Sequence, residues 1–174
     1  MLESSANKSL YSDMTILCVD DERIILRTIQ RLFHRKPYNV IIASNALSAL
    51  EILEKTTIDV IISDMRMPEM DGTTLLEKIA TSYPETYRIV LSGFADFEST
   101  VAAINLGKVN RFINKPWNNE DLINAVEEGL EIIRLKKENY NLKINIQYKN
   151  KLLHNINHDL EEQINLRTKQ IRAS

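Results

Sequence analysis

The stretch Val60-Ile61-Ile62-Ser63-Asp64-Met65-Arg66-Met67-Pro68-Glu69-Met70-Asp71-Gly72 decides how the chain folds. Three branched apolar residues in a row read as a strand covered on both faces, and the run stops at a carboxylate. Pro68 and Asp71-Gly72 mark a turn, after which Leu75, Leu76 and Ile79 recur at the spacing of an amphipathic helix.

The same unit recurs on either side. Upstream, Thr15-Ile16-Leu17-Cys18-Val19 halts at Asp20-Asp21, and Ile25, Ile29, Leu32 and Phe33 predict a helix ended by Lys36-Pro37. Val40-Ile41-Ile42-Ala43 is followed by Ala46, Ala49, Leu50 and Leu53 at helical spacing. Downstream, Arg88-Ile89-Val90-Leu91 ends in Ser92-Gly93. A helix through Val101, Ala102 and Ile104 is expected to close at a left-handed cap on Gly107. Arg111-Phe112-Ile113-Asn114 then leads into Lys115-Pro116. A fifth helix opens near Asn119, with Glu120 and Asp121 at its positive end. Repeated strand-then-helix units predict an α/β fold, a doubly wound five-stranded parallel sheet with helices on both faces. Such folds place their sites beyond the carboxyl ends of the strands, where strand order switches.

Those ends carry Asp20, Asp21, Asp64, Ser92 and Lys115. Taken singly, an Asp pair after a strand is a helix cap, a Lys before Pro is a loop residue, and a Ser before Gly is a turn. Gathered in one place they mean more. Three carboxylates repel unless a divalent cation neutralises them, and oxygen donors without His or Cys point to Mg²⁺. One Asp can then attack phosphorus while the metal, a lysine and a hydroxyl bind the oxygens of the transferred group.

Ile16-Leu17-Cys18-Val19-Asp20-Asp21-Glu22, Ser63 through Gly72, Leu91-Ser92-Gly93 and Asn114-Lys115-Pro116-Trp117 closely resemble response-regulator receiver domains, over roughly residues 14–129. The resemblance implies that Asp64 is the phosphoacceptor. Asp20, Asp21, Asp64 and the backbone carbonyl of Arg66 would hold Mg²⁺, Lys115 would bind the phosphoryl group, and Ser92 and Phe112 would be the switch hydroxyl and switch aromatic. It also implies a cis bond before Pro116. Arg66 and Phe94 lie where side chains influence attack by water. The phosphoryl source would be a sensor histidine kinase, a phosphotransfer protein or a small phosphodonor. The response would be a change on the face built from the fourth helix, fifth strand and fifth helix. Beyond its own phosphorylation and dephosphorylation such a domain is not an enzyme.

Other readings fit less well. A flavin or nucleotide site needs Gly, Ser and Thr where Asp20-Asp21-Glu22 would repel phosphate. An aspartyl phosphatase resembles Asp-x-Asp, but the second position here is Arg66. A phosphorylation-independent receiver-like interaction module would have lost a site residue, and none is lost.

The 174 residues, 44% hydrophobic, carry a formal charge of −2 that is unevenly spread. Residues 1–129 hold 13 basic and 19 acidic side chains, and residues 130–174 hold 9 and 5. The basic residues of the back end are interspersed with acids and amides, so no nucleic-acid partner is expected. The lone Cys18 gives no disulfide framework, and no run is apolar enough to span a bilayer, so no membrane partner and a cytoplasmic setting are expected. Residues 1–13 read as a polar tail.

Residues 130–174 contain no Pro or Gly. Leu135, Leu142, Ile146, Leu153, Ile156, Leu160, Ile164 and Ile171 form an apolar stripe with a stutter in its heptads. Such a stripe predicts a weakly supercoiled helix pairing in parallel with a second copy. Leu160 through Lys169 resembles the linker helices that join receivers to catalytic output domains. The Lys-Pro-Trp loop resembles that of receivers attached to cyclic-dinucleotide phosphodiesterases. His154 and His158 read as solvated positions without a third metal ligand.

Overall fold

The structure, a computed structural model, describes residues 10–106 and 108–174. The cap expected at Gly107 and most of the polar tail lie outside them. Its elements are β1 (Thr15–Val19), α1 (Arg23–Phe33), β2 (Asn39–Ala43), α2 (Ala46–Lys55), β3 (Val60–Asp64), α3 (Gly72–Ser82), β4 (Tyr87–Ser92), α4 (Phe97–Asn105), β5 (Arg111–Asn114) and α5 (Asn119–Ala173). The five strands are parallel in the order β2-β1-β3-β4-β5. This is the doubly wound sheet expected from the sequence, followed by the long C-terminal helix.

Alternation along each strand explains the two helical layers. Leu17, Ile61 and Val90 pack with α2 and α3 through Ala49, Leu53, Leu75 and Ile79. Their neighbours Cys18, Ile62 and Ile89 pack with Leu26, Ile29 and Phe33 of α1 and with Leu122, Val126, Leu130 and Ile133 of α5. Both faces are therefore apolar, as an all-parallel sheet requires.

Some boundaries shift. α1 stops at Phe33, short of the expected end at Lys36-Pro37. The chain turns there, with the Lys36 N–H donating to the Phe33 carbonyl at 3.0 Å and its ammonium reaching Glu127 on α5 at 2.7 Å. Arg88, at the head of an apolar strand, is buried. Its guanidinium donates to the carbonyls of Lys108, Thr86 and Pro84, at 2.8, 2.7 and 3.2 Å, which satisfies a charge that burial otherwise disfavours. Gly129 lies inside α5 at a cost of about 1 kcal/mol relative to Ala. A Cβ there would stand 2.5 Å from the Tyr87 ring, so only glycine lets the helix lie this close to β4.

The contacts divide the chain into two compact units, the first ending at Arg134 and the second spanning Leu135–Ser174. The second is helical to Ala173, and the eight residues of its apolar stripe are 49% to 74% exposed. His154 and His158 are exposed, as expected. His158 shares a cluster with Asp159 and Glu162, not with His154. No helix among the described residues is long and apolar enough to cross a membrane.

Candidate functional site

Strand order reverses between β1 and β3, the two strands that end in the carboxylates. Val19 pairs with Ser63, which sets Asp20 beside Asp64 one step further on. Asp20, Asp21 and Asp64 each bring a carboxylate oxygen within 4.8 Å of the others. Asp20 and Asp64 are buried and Asp21 is exposed at the rim.

Lys115 arrives from the end of β5, where its N–H donates to the Ser92 carbonyl at 2.8 Å. Its Nζ stands 2.9 Å from Asp64 Oδ1 and 3.4 Å from Asp20 Oδ2. The following Lys115–Pro116 bond is cis, as the resemblance implies. Burial works against the ammonium, but the hydrogen bond to Asp64 and the charge of Asp20 outweigh it, and the Lys115 pKa is raised.

Burial also pushes the Asp20 carboxyl up to about 6, helped by the charge of Asp64 and opposed by the Glu22 N–H and Lys115. That N–H donates to Asp20 Oδ1 at 2.8 Å. Asp20 and Asp64 share the Lys115 ammonium, Asp21 adds a third carboxylate at the rim, and an excess of negative charge remains. Hard oxygen donors with surplus negative charge fit Mg²⁺.

A cleft of about 820 Å³ adjoins this group and meets it at Lys115. It is lined by Ser92, Phe94, Phe97, Val101 and Phe112 among others. Ser92 is buried, whereas Phe112 is 39% exposed and stands at the cleft in place of a core position. Asp20, Asp21, Asp64 and Lys115 thus converge, with Ser92 and Phe112 beside them.

The Arg66 side chain is engaged elsewhere. Its Nε donates to Asp96 Oδ1 at 2.5 Å. Asp96 escapes a reading of the sequence because it stands before a helix, where an acidic residue looks like a cap. Its side chain in fact accepts from the Gly93 N–H, at 3.1 Å, and makes no cap bond to α4.

The loop after Asp64 is tightly wound. Asp71 caps α3 by accepting from the Thr74 N–H at 2.8 Å, and Glu69 takes a positive φ of 69°. The Gly72 N–H donates to the Met65 carbonyl at 2.9 Å. This brings Gly72 so close to β3 that a Cβ on it would lie 1.9 Å from the Asp64 carbonyl oxygen.

The fold is that of a doubly wound α/β domain with an acidic cluster at its strand-order switch. Residues 16–127 match the model of the response regulator receiver domain, and the chain belongs to that family. It is a signalling domain of the two-component type. The chain is similar to an uncharacterized protein from Neptuniibacter caesariensis, at 46% identity and a TM-score of 0.72, covering 74% of this chain and 96% of the other. The signal receiver domain of an HD domain-containing protein from Pseudomonas fluorescens Pf-5 is 37% identical with a TM-score of 0.69, covering 73% and 93%. The hydrogenase transcriptional regulatory protein HoxA of Bradyrhizobium diazoefficiens is 32% identical over 124 residues, which are 71% of this chain and 25% of that protein. The chain spans about a quarter to a third of the length of curated relatives such as this one.

Proposed function

We propose that Asp64 accepts a phosphoryl group from a histidine kinase, a phosphotransfer protein or a small phosphodonor, and that the modification switches the face built from α4, β5 and α5. The observation that carries this reading is the cluster of three carboxylates at the strand-order switch, two of which, Asp20 and Asp64, meet Lys115. Asp64 attacks phosphorus, the new O–P bond forms as the bond to the donor's leaving atom breaks, and the leaving group departs with the electron pair. Lys115, already 2.9 Å from Asp64, holds its ammonium toward the incoming oxygens. Mg²⁺, held by Asp20, Asp21, Asp64 and the backbone carbonyl of Arg66, would supply positive charge to the phosphoryl oxygens.

Phosphorylation adds roughly −1.5 to −2 charges, and the new acceptor oxygens draw the Ser92 hydroxyl inward. Space beside β5 then opens for the half-exposed Phe112 ring. Intact-mass spectrometry after incubation with acetyl phosphate and Mg²⁺ tests the reading: one phosphate adduct is expected, and a chain that stays unmodified would sink it.

Asp20 makes the metal pH-dependent. Its carboxyl titrates near 6, and the protonated form does not ligate. Apparent Mg²⁺ affinity should be flat from pH 7 to 8 and fall by up to about tenfold per unit below pH 6. Titrations read by the single tryptophan, Trp117, would check this, and an affinity unchanged between pH 5 and 7 would remove Asp20 from the ligand set. Without metal the sign reverses. A folded carboxyl raised from 3.8 to about 6 takes up a proton that the unfolded chain does not, so the metal-free protein gains stability as pH falls through that window.

The exposed stripe of residues 135–171 supports a parallel homodimer through the C-terminal helix, biased by the receiver with a coupling of about 1–3 kcal/mol. Leu135→Cys and Leu153→Cys chains carrying spin labels would report inter-chain distances. Cys18 does not interfere, since it is fully buried and burial raises its thiol pKa. Distances that differ with and without beryllofluoride are expected, and a monomer in both states would rule the dimer out.

A further inference from the structure

Between Gly93 and Ser99, Asp96 is the only buried side chain, whereas Phe94 is fully exposed and Phe97 is 65% exposed. A loop that buries so little apolar surface is held by its polar contacts. Asp96 supplies them from the end of a one-turn 3₁₀ helix, Phe94–Asp96. Its Oδ2 accepts from the Gly93 N–H at 3.1 Å, its Oδ1 accepts from Arg66 Nε at 2.5 Å, and its carbonyl accepts from the Thr100 hydroxyl at 2.8 Å. Arg66 follows Asp64 by two residues, and Gly93 follows Ser92 directly. The ion pair therefore ties the loop after the acceptor strand to the loop after the serine strand.

We infer that the Arg66–Asp96 pair is a latch that holds the β4–α4 loop, and Ser92 with it, in the resting position, and so sets how readily the chain switches. The inference rests on Asp64 being the phosphoacceptor. A buried carboxylate stripped of its cation turns toward water. Because the same carboxylate binds the Gly93 N–H, its movement pulls on the peptide that follows Ser92. Releasing the latch lowers the energy needed to bring Ser92 inward, and a ligand that requires the inward state then binds more tightly. Arg66 and Asp96 are positioning residues in this account. The Arg66 backbone carbonyl is untouched by side-chain substitution.

Beryllofluoride titrations of the full chain at saturating Mg²⁺, read by Trp117 emission, test the latch in Arg66→Gln, Asp96→Asn and the double variant. Each single variant should bind at least about fivefold more tightly than the parent, the low end of ordinary coupling. The double variant should match either single, because one contact can be broken only once. Arg66→Lys, which keeps a cation, should stay closer to the parent than Arg66→Gln. Damage to the fold would weaken binding, so a gain separates the latch from a structural role. Should one variant fail to fold in a melting check, the other removes the same pair from the opposite side. Weaker binding in Arg66→Gln with Asp96→Asn unchanged would place Arg66 on the phosphoryl group and overturn the latch. Both variants unchanged would overturn it as well. A parent chain that binds Mg²⁺ but no beryllofluoride would instead remove the phosphoacceptor reading, and the latch with it.

Discussion

The Asp64→Asn chain should take up no phosphate from acetyl phosphate in the presence of Mg²⁺, a loss on the order of a thousandfold or more, as expected when a nucleophile is removed. An amide keeps the size of the side chain and can still accept from Lys115, so the loss would be chemical. The other two carboxylates are poorly placed to substitute. Asp20 is 1% exposed, with one oxygen bound to the Glu22 N–H and the other facing Lys115, and Asp21 stands exposed at the rim. Intact-mass spectrometry of the parent and variant side by side decides the matter. A phosphate adduct of undiminished yield on Asp64→Asn would move the acceptor to one of the neighbours.

Gly72→Ala should be among the most destabilising single-methyl changes available. The added carbon would stand 1.9 Å from the Asp64 carbonyl oxygen, which is backbone and cannot swing aside as a side chain could. Either the start of α3 moves away from β3, losing the Gly72-to-Met65 hydrogen bond, or the end of β3 is displaced. We expect a cost of about 3 kcal/mol or more, and a melting temperature lower by roughly 10 °C. Thr74→Ala, exposed in the first turn of the same helix, serves as the control, with an expected change within about 0.5 kcal/mol. Thermal unfolding followed by circular dichroism checks both, and a Gly72→Ala chain melting within a degree or two of the parent would show that the helix start yields easily.

Much of this architecture is legible in the sequence because a parallel sheet covered on both faces leaves an unusually plain signal. Runs such as Val60-Ile61-Ile62 have no polar face to blur them, and those of β1, β3 and β4 lead directly into candidate site residues, Asp20, Asp64 and Ser92. Thr15–Val19 and Arg111–Asn114 match the observed strands residue for residue. The carboxylates and Lys115 could be placed together because strand ends in a doubly wound sheet share one edge, which needs no knowledge of side-chain direction.

What stayed hidden depends on contacts between distant segments. Nothing local marks Arg66 and Asp96 as partners, since they lie 30 residues apart in the chain and each has an ordinary local explanation. Arg88 passes as a polar interruption at the head of a strand until three carbonyls are seen around its guanidinium. Pro37 predicts a later end for α1 than the structure has, because the helix closes at Phe33 and Lys36, beyond it, reaches Glu127. Glu127 and Lys36 are 91 residues apart, and no periodicity reports such a pair.

The covering of one sheet face by α5 has a consequence during synthesis. Ile62, Ile89 and Leu91 form a layer whose closing side chains, Leu122 through Ile133, are the last of the first unit to be made. At ~5–20 residues per second, the chain between Ser92 and Ile133 takes roughly 2–8 s to translate. For that interval the nascent sheet is closed on its α2 and α3 side and open on the other. An apolar surface then has only α1 to shield it until Leu122 through Ile133 arrive.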